Sequence, residues 1–70
     1  MKEKDFIRIL SETLDRKINK KSNLELDSLD ILKVVEMNNL YFKKLKINGS
    51  RIVNCKTYND FRKIYGKEIS

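Results

Sequence analysis

Few residues in this 70-residue chain could do chemistry. It has no histidine to serve as a general base and no glycine-rich phosphate loop, and its carboxylates are scattered rather than paired around a cleft. The single cysteine, Cys55, stands in an apolar register before a predicted last helix and reads as an inert core thiol. Catalysis by the chain itself is therefore not expected. One hydroxyl has a distinctive setting. Ser28 lies in the run Asp27-Ser28-Leu29-Asp30, at the first turn of a predicted helix. A serine there is exposed, because a helix start has free amides that burial would leave without partners. A phosphate ester on its oxygen would lie near the positive end of the helix dipole. The site is chemically fit to carry a phosphodiester. The plainer alternative is that Asp27-Ser28 is only the ordinary vocabulary of a helix start.

The elements that would position Ser28 follow from periodicity. Asp5 to Ile18 places Ile7, Leu10, Leu14 and Ile18 on one helical face, with Asp5 as a cap and Arg16 and Lys17 near the negative end. Asn19 to Asn23 reads as a loop. Asp27 caps the second helix, and Asp30, three residues on, completes a capping-box pattern. Ile31, Leu32, Val34, Val35, Met37, Leu40 and Phe42 make that helix apolar over a wide arc, as suits a central helix touched on two sides. Ile47-Asn48-Gly49-Ser50 reads as a turn, and Arg51 to Cys55 is too short for more than a helical turn or two. Thr57, with Asp60 three residues on, caps a last helix whose apolar side is Phe61, Ile64 and Tyr65 and whose exit is Gly66. The expected fold is all-α: a single domain over residues 1–70, a small antiparallel bundle of three longer helices plus one short helix.

Charge and composition narrow the function classes. The net charge of +6 invites a nucleic-acid or anionic-partner reading. Its distribution argues otherwise. Residues 1–21 carry seven basic and four acidic side chains, and residues 43–67 carry eight basic ones against Asp60 alone. Between them, residues 22–42 carry Lys33 against Glu25, Asp27, Asp30 and Glu36, a local net of 1 − 4 = −3. A chain selected only to coat phosphates has little use for that acidic island. A lone cysteine and a charged start without an apolar run point to a cytoplasmic protein, with no membrane insertion expected.

The run Leu24-Glu25-Leu26-Asp27-Ser28-Leu29-Asp30 resembles the phosphopantetheine-attachment motif of acyl carrier proteins, usually written L-G-x-D-S-L-[DE]. The following helix ends at Phe42, where that family commonly has an aromatic residue, and Ile47 matches the apolar residue opening the next loop. Thr57-Tyr58-Asn59-Asp60-Phe61-Arg62-Lys63-Ile64-Tyr65 is similar to the family's T-V-x-D-L-x-x-x-I ending. Glu25 stands in place of the usual glycine, and the chain is basic where most members are acidic.

The resemblance implies an acyl-carrier-like bundle with 4′-phosphopantetheine on Ser28, transferred from coenzyme A by a phosphopantetheinyl transferase (holo-synthase). It also implies cargo held as a thioester and presented to acyl- or aminoacyl-loading enzymes and acyltransferases. Asp27, Leu29, Asp30, Leu32 and Glu36 would be the partner-docking residues. Ile31, Val34, Val35, Asn38 and Phe42 would line the core space open to an acyl chain. A monomer is expected, and nucleic acid is not expected as a partner. The competing reading is a basic helical binding module for nucleic acid or an anionic protein partner, resting on Lys43, Lys44, Lys46, Arg51, Lys56, Arg62, Lys63 and Lys67.

Overall fold

The computed structural model describes residues 1–45, 47 and 49–69. In chain order it has α1 (Glu3–Leu14), α2 (Ser28–Tyr41), α3 (Gly49–Val53) and α4 (Tyr58–Ile64), then a 3-10 turn over Gly66–Glu68. The protein is all-α: among the described residues the only strand-like pairing is an isolated bridge between Asn23 and Thr57. Among those residues no helix is long and apolar enough to cross a membrane.

The first helix is shorter than its apolar pattern suggests. It stops at Leu14 because Asp15 turns left-handed, at φ 53°, a conformation that aspartate tolerates better than most side chains. Ile18, expected on the helix, is buried from the following loop instead. Asp5 does not cap: the cap position is Lys2, whose side chain makes no capping bond, and Asp5 lies within the first turn. The buried face is Phe6, Ile9, Leu10 and Leu14, with Ile7 only half-buried. Phe6, absent from the sequence-derived face, is fully buried.

Aromatic rings explain why Phe6 dominates. Its ring lies 6.0 Å from that of Phe42 at the end of α2, 6.1 Å from Tyr58 and 5.2 Å from Tyr65 at the two ends of α4. Phe42 and Tyr65 close the cluster at 4.8 Å. Offset and edge-on pairs at these distances stabilise beyond their area burial. At the other end of α1, Arg16 reaches Asp30 near the start of α2 at 2.8 Å. Phe6 with Phe42 and Arg16 with Asp30 together fix α1 and α2 as antiparallel.

The thirteen-residue span from Asp15 to Asp27 is held rather than loose. The Leu24 amide donates to the Lys56 carbonyl at 2.7 Å, and the Tyr58 amide to that of Ser22 at 3.1 Å. These bonds tie the segment before Ser28 to the entry of α4, and Leu24 is buried as a result. That entry has the expected capping box: the Asp60 amide donates to the Thr57 hydroxyl, and Asp60 accepts from the Thr57 amide. The turn expected at 47–50 is displaced, since Gly49 and Ser50 already belong to α3; Asn48 in that run, and Lys46 in the basic stretch, lie outside the described residues. Gly66 opens the 3-10 turn without a positive φ, so it is not a left-handed exit from α4.

Glu3 joins α1, α4 and the loop. Its carboxylate accepts from the Tyr58 hydroxyl at 2.9 Å and from Arg62 Nε at 2.9 Å, and Lys20 Nζ lies 3.3 Å away. The Tyr58 hydrogen bond, with help from the two cations, holds Glu3 below the usual carboxylate range. Burial and the neighbouring carboxylate raise Tyr58 above the usual phenol range. Asp60 is also lowered, by the backbone amides of Lys56 and Thr57. A carboxyl with a depressed folded pKa stabilises fully above its unfolded value, and that stabilisation disappears as pH falls through the folded one. The thermal midpoint should therefore hold as pH falls to the ordinary carboxylate range and decline from there toward the lowered folded values. Glu3→Gln should lower the midpoint near neutrality and flatten that acid limb, a comparison made by thermal melts across an acid series.

Candidate functional site

The start of α2 is built as its sequence suggests. Asp27 Oδ1 accepts the Asp30 amide at 2.8 Å, and Asp30 Oδ2 accepts the Asp27 amide at 3.3 Å, a reciprocal capping box. Ser28 follows the cap directly, as the first helical residue, and is exposed. Its hydroxyl has no hydrogen-bond partner among the described residues. The Ile31 amide bonds the Asp27 carbonyl, whereas the amides of Ser28 and Leu29 have no acceptor among those residues. The helix start thus offers a free nucleophilic oxygen beside free backbone donors, where a phosphate ester would meet favourable polarity.

The segment leading to Ser28 needs no glycine. Asp15 is the one non-glycine described residue with positive φ, so Glu25 sits in ordinary backbone. Its carbonyl accepts from Arg16 Nη1 at 3.2 Å, while Arg16 Nη2 holds Asp30 Oδ2 at 2.8 Å. One guanidinium therefore grips the chain three residues before Ser28 and two residues after it. Nothing in the local pattern around Ser28 signals this pair, which joins residues fourteen apart.

The expected docking residues divide. Asp27 and Glu36 are exposed, and Leu29 and Leu32 are more than half exposed, at 60% and 61%. Asp30 is not with them. It is 6% exposed and engaged by both the cap and Arg16, so its charge is spent inside the fold rather than offered to a partner. The expected core residues also divide. Val34, Asn38 and Phe42 are buried, while Ile31 and Val35 are half-buried. Met37, outside that arc, is buried at 2%, because α1 covers that side of α2. Asn38 Nδ2 donates to the Leu45 carbonyl at 2.9 Å, and its buried Oδ1 has no partner among the described residues.

Cys55 is buried, with its thiol 3.5 Å from the Arg51 carbonyl. Burial first, and then Asp60, push its pKa up to about 11, which leaves little thiolate near neutrality. No described group of three or more His, Cys, Asp or Glu residues is arranged to hold a metal ion. No family model, curated protein or solved structure matches this chain.

Removing the Arg16 guanidinium leaves a buried carboxylate with one fewer charged donor. Arg16→Ala should cost about 1–3 kcal/mol and speed amide exchange at Asp27 and Asp30. Lys17→Ala, one residue on and exposed, should stay within about 0.5 kcal/mol of wild type. Urea denaturation with hydrogen exchange checks both.

Proposed function

We propose that this chain is a carrier protein, with 4′-phosphopantetheine on Ser28 and cargo held as a thioester at the end of that arm. The observation that carries the reading is the exposed, unpartnered Ser28 hydroxyl at the first position of α2, fixed by the Asp27–Asp30 capping box. The surroundings fit the group: Ser28 is exposed, and its own amide and that of Leu29 have no acceptor among the described residues. In the attachment step the Ser28 oxygen attacks the β-phosphorus of coenzyme A. A new P–O bond forms as the pyrophosphate P–O bond breaks, 3′,5′-adenosine bisphosphate leaves, and the hydroxyl proton passes to the transferase. The arm, when bound, supplies the thiol that holds cargo; the chain itself anchors and presents it.

The antiparallel α1 and α2, the short α3 and the capped α4 are compatible with an acyl-carrier-like bundle. Partner enzymes would read α2 through Leu29 and Leu32, with Asp27 and Glu36 supplying the exposed charge that steers basic surfaces. The test is intact-mass analysis after incubation with coenzyme A and a broad-specificity phosphopantetheinyl transferase. One arm should be added to wild type and none to Ser28→Ala, whose melting curve should match wild type because Asp27 makes the cap. Addition to the alanine variant, or none to either protein, would remove the proposal.

The core bears on cargo. Asn38 Nδ2 is already bonded to the Leu45 carbonyl, but its buried Oδ1 has no partner among the described residues, and holding a hydrocarbon chain rather than a donor against that oxygen costs up to about 1–3 kcal/mol. Short or polar cargo, such as an aminoacyl, hydroxyacyl or short acyl group, escapes that cost. Loading the holo protein with a long saturated chain should therefore leave its thermal midpoint close to that of the short-chain form. A rise of several degrees on long-chain loading would show that the chain is sequestered after all.

A further inference from the structure

A second surface lies where α1 and α2 run side by side. Ile9 and Met37 form the floor of an open groove of about 450 Å³, and Leu40 and Tyr41 stand on its rim. Those two are 72% and 56% exposed, an unusual outlay of large apolar surface in so small a protein. Glu12, Asp15 and Glu36 also line the groove, against a single cation, Lys33.

These carboxylates differ from most others in the chain. Of the ten Asp and Glu residues, Glu3, Asp5, Asp27, Asp30 and Asp60 have side chains engaged in ion pairs or hydrogen bonds. The side chains of the other five, Glu12, Asp15, Glu25, Glu36 and Glu68, have no such partner among the described residues, and Glu12, Asp15 and Glu36 line the groove. Two of them are also badly placed for the fold. Glu12 is in the last turn of α1 and Asp15 is its C-cap, where the helix dipole disfavours negative charge, and no basic residue occupies that turn to offset them. Asp15 suits the left-handed turn that ends α1, but asparagine would suit it equally without the charge, so the acidic character of Glu12 and Asp15 beside apolar side chains left in water goes against the local rules.

We infer that the α1–α2 groove docks a cationic amphipathic helix of a partner protein, whose apolar face covers Leu40 and Tyr41 while its lysines or arginines meet Glu12, Asp15 and Glu36. A groove between two packed helices suits a third helix laid along it. Charge selects the occupant. A second copy joined by two-fold symmetry would set these carboxylates against themselves, which disfavours that pairing. The groove shares Glu36 with the α2 face proposed above for carrier partners, but Ser28 is not among its lining residues and docking there does not depend on the arm.

The probe is a short synthetic amphipathic helix of leucine and lysine, titrated into the isotope-labelled full chain, with a leucine–glutamate helix of the same pattern as comparison. The lysine helix should shift the amides around Glu12, Asp15, Leu40 and Tyr41 despite the protein's net charge of +6, and the glutamate helix should not. Glu12→Gln with Asp15→Asn should weaken binding by about tenfold, or 1.4 kcal/mol. The same pair should raise the thermal midpoint of the free protein, because it relieves the dipole clash. Leu40→Ala should weaken binding with no loss of fold, and Glu25→Gln with Glu68→Gln, which removes the same charge elsewhere, should leave affinity unchanged within about twofold. Equal weakening by both charge-removal pairs, equal binding of the glutamate helix, or shifts centred away from the groove would each overturn the inference. So would self-association in sedimentation that Leu40→Ala abolishes, since the groove would then belong to a second copy.

Discussion

The arrangement around Ser28 depends on one guanidinium. Arg16 leaves the end of α1, crosses to α2 and binds both the Glu25 carbonyl and the Asp30 carboxylate. Asp30 in turn completes the cap with Asp27, and the cap sets where α2 begins. The position of the first helical residue, and hence of the serine oxygen, is inherited through this chain of contacts. Because Asp30 is buried, its partner matters more than a surface ion pair would: an unpaired buried charge is costly, whereas an exposed pair contributes little. The same pair helps to fix the direction of α1 against α2, so the Ser28 hydroxyl and the bundle share a fastening.

The far end of the molecule is held differently. Phe6, Phe42, Tyr58 and Tyr65 gather α1, α2 and α4 into an aromatic cluster, and Glu3 ties α1 to Tyr58 and Arg62 across its edge. A chain of this length buries a modest share of its surface, so large rings that each touch several elements are an efficient source of stability. The short α3 contributes one buried side chain, Ile52, and packs on α2 where Gly49 approaches Ile31. Leu29, Leu32 and Leu40 stand exposed on α2, and Glu12, Asp15 and Glu36 line its groove with α1.

What could be read from the sequence was mostly local. The Asp27–Asp30 and Thr57–Asp60 boxes are legible because a cap and its partner are three residues apart. The inward setting of Asn38 and Phe42 follows from helical spacing, and the burial of Cys55 from its apolar register. What could not be read depends on contacts between distant residues. Ile18 continues the period of α1 although the helix has already ended, since a loop side chain can fill the same hydrophobic site. Asp30 looks like a surface acid until Arg16 is seen beside it. Phe6 stands four residues before Leu10 and so shares its face by helical spacing, but that it is buried more deeply than Ile7 follows from the rings of Phe42, Tyr58 and Tyr65 around it. The Leu24–Lys56 and Tyr58–Ser22 bonds join segments whose sequences carry no mark of each other.

The most direct test of the central claim is the chemical state of Ser28 in the living cell. The protein should be isolated from its native cells without reducing or alkylating treatment, digested, and the peptide spanning Asp27-Ser28-Leu29 sequenced by tandem mass spectrometry. A phosphopantetheine-bearing Ser28, with or without acyl cargo, is the result this account predicts. An unmodified Ser28 in protein recovered throughout growth, or an arm located on any other residue, would contradict it.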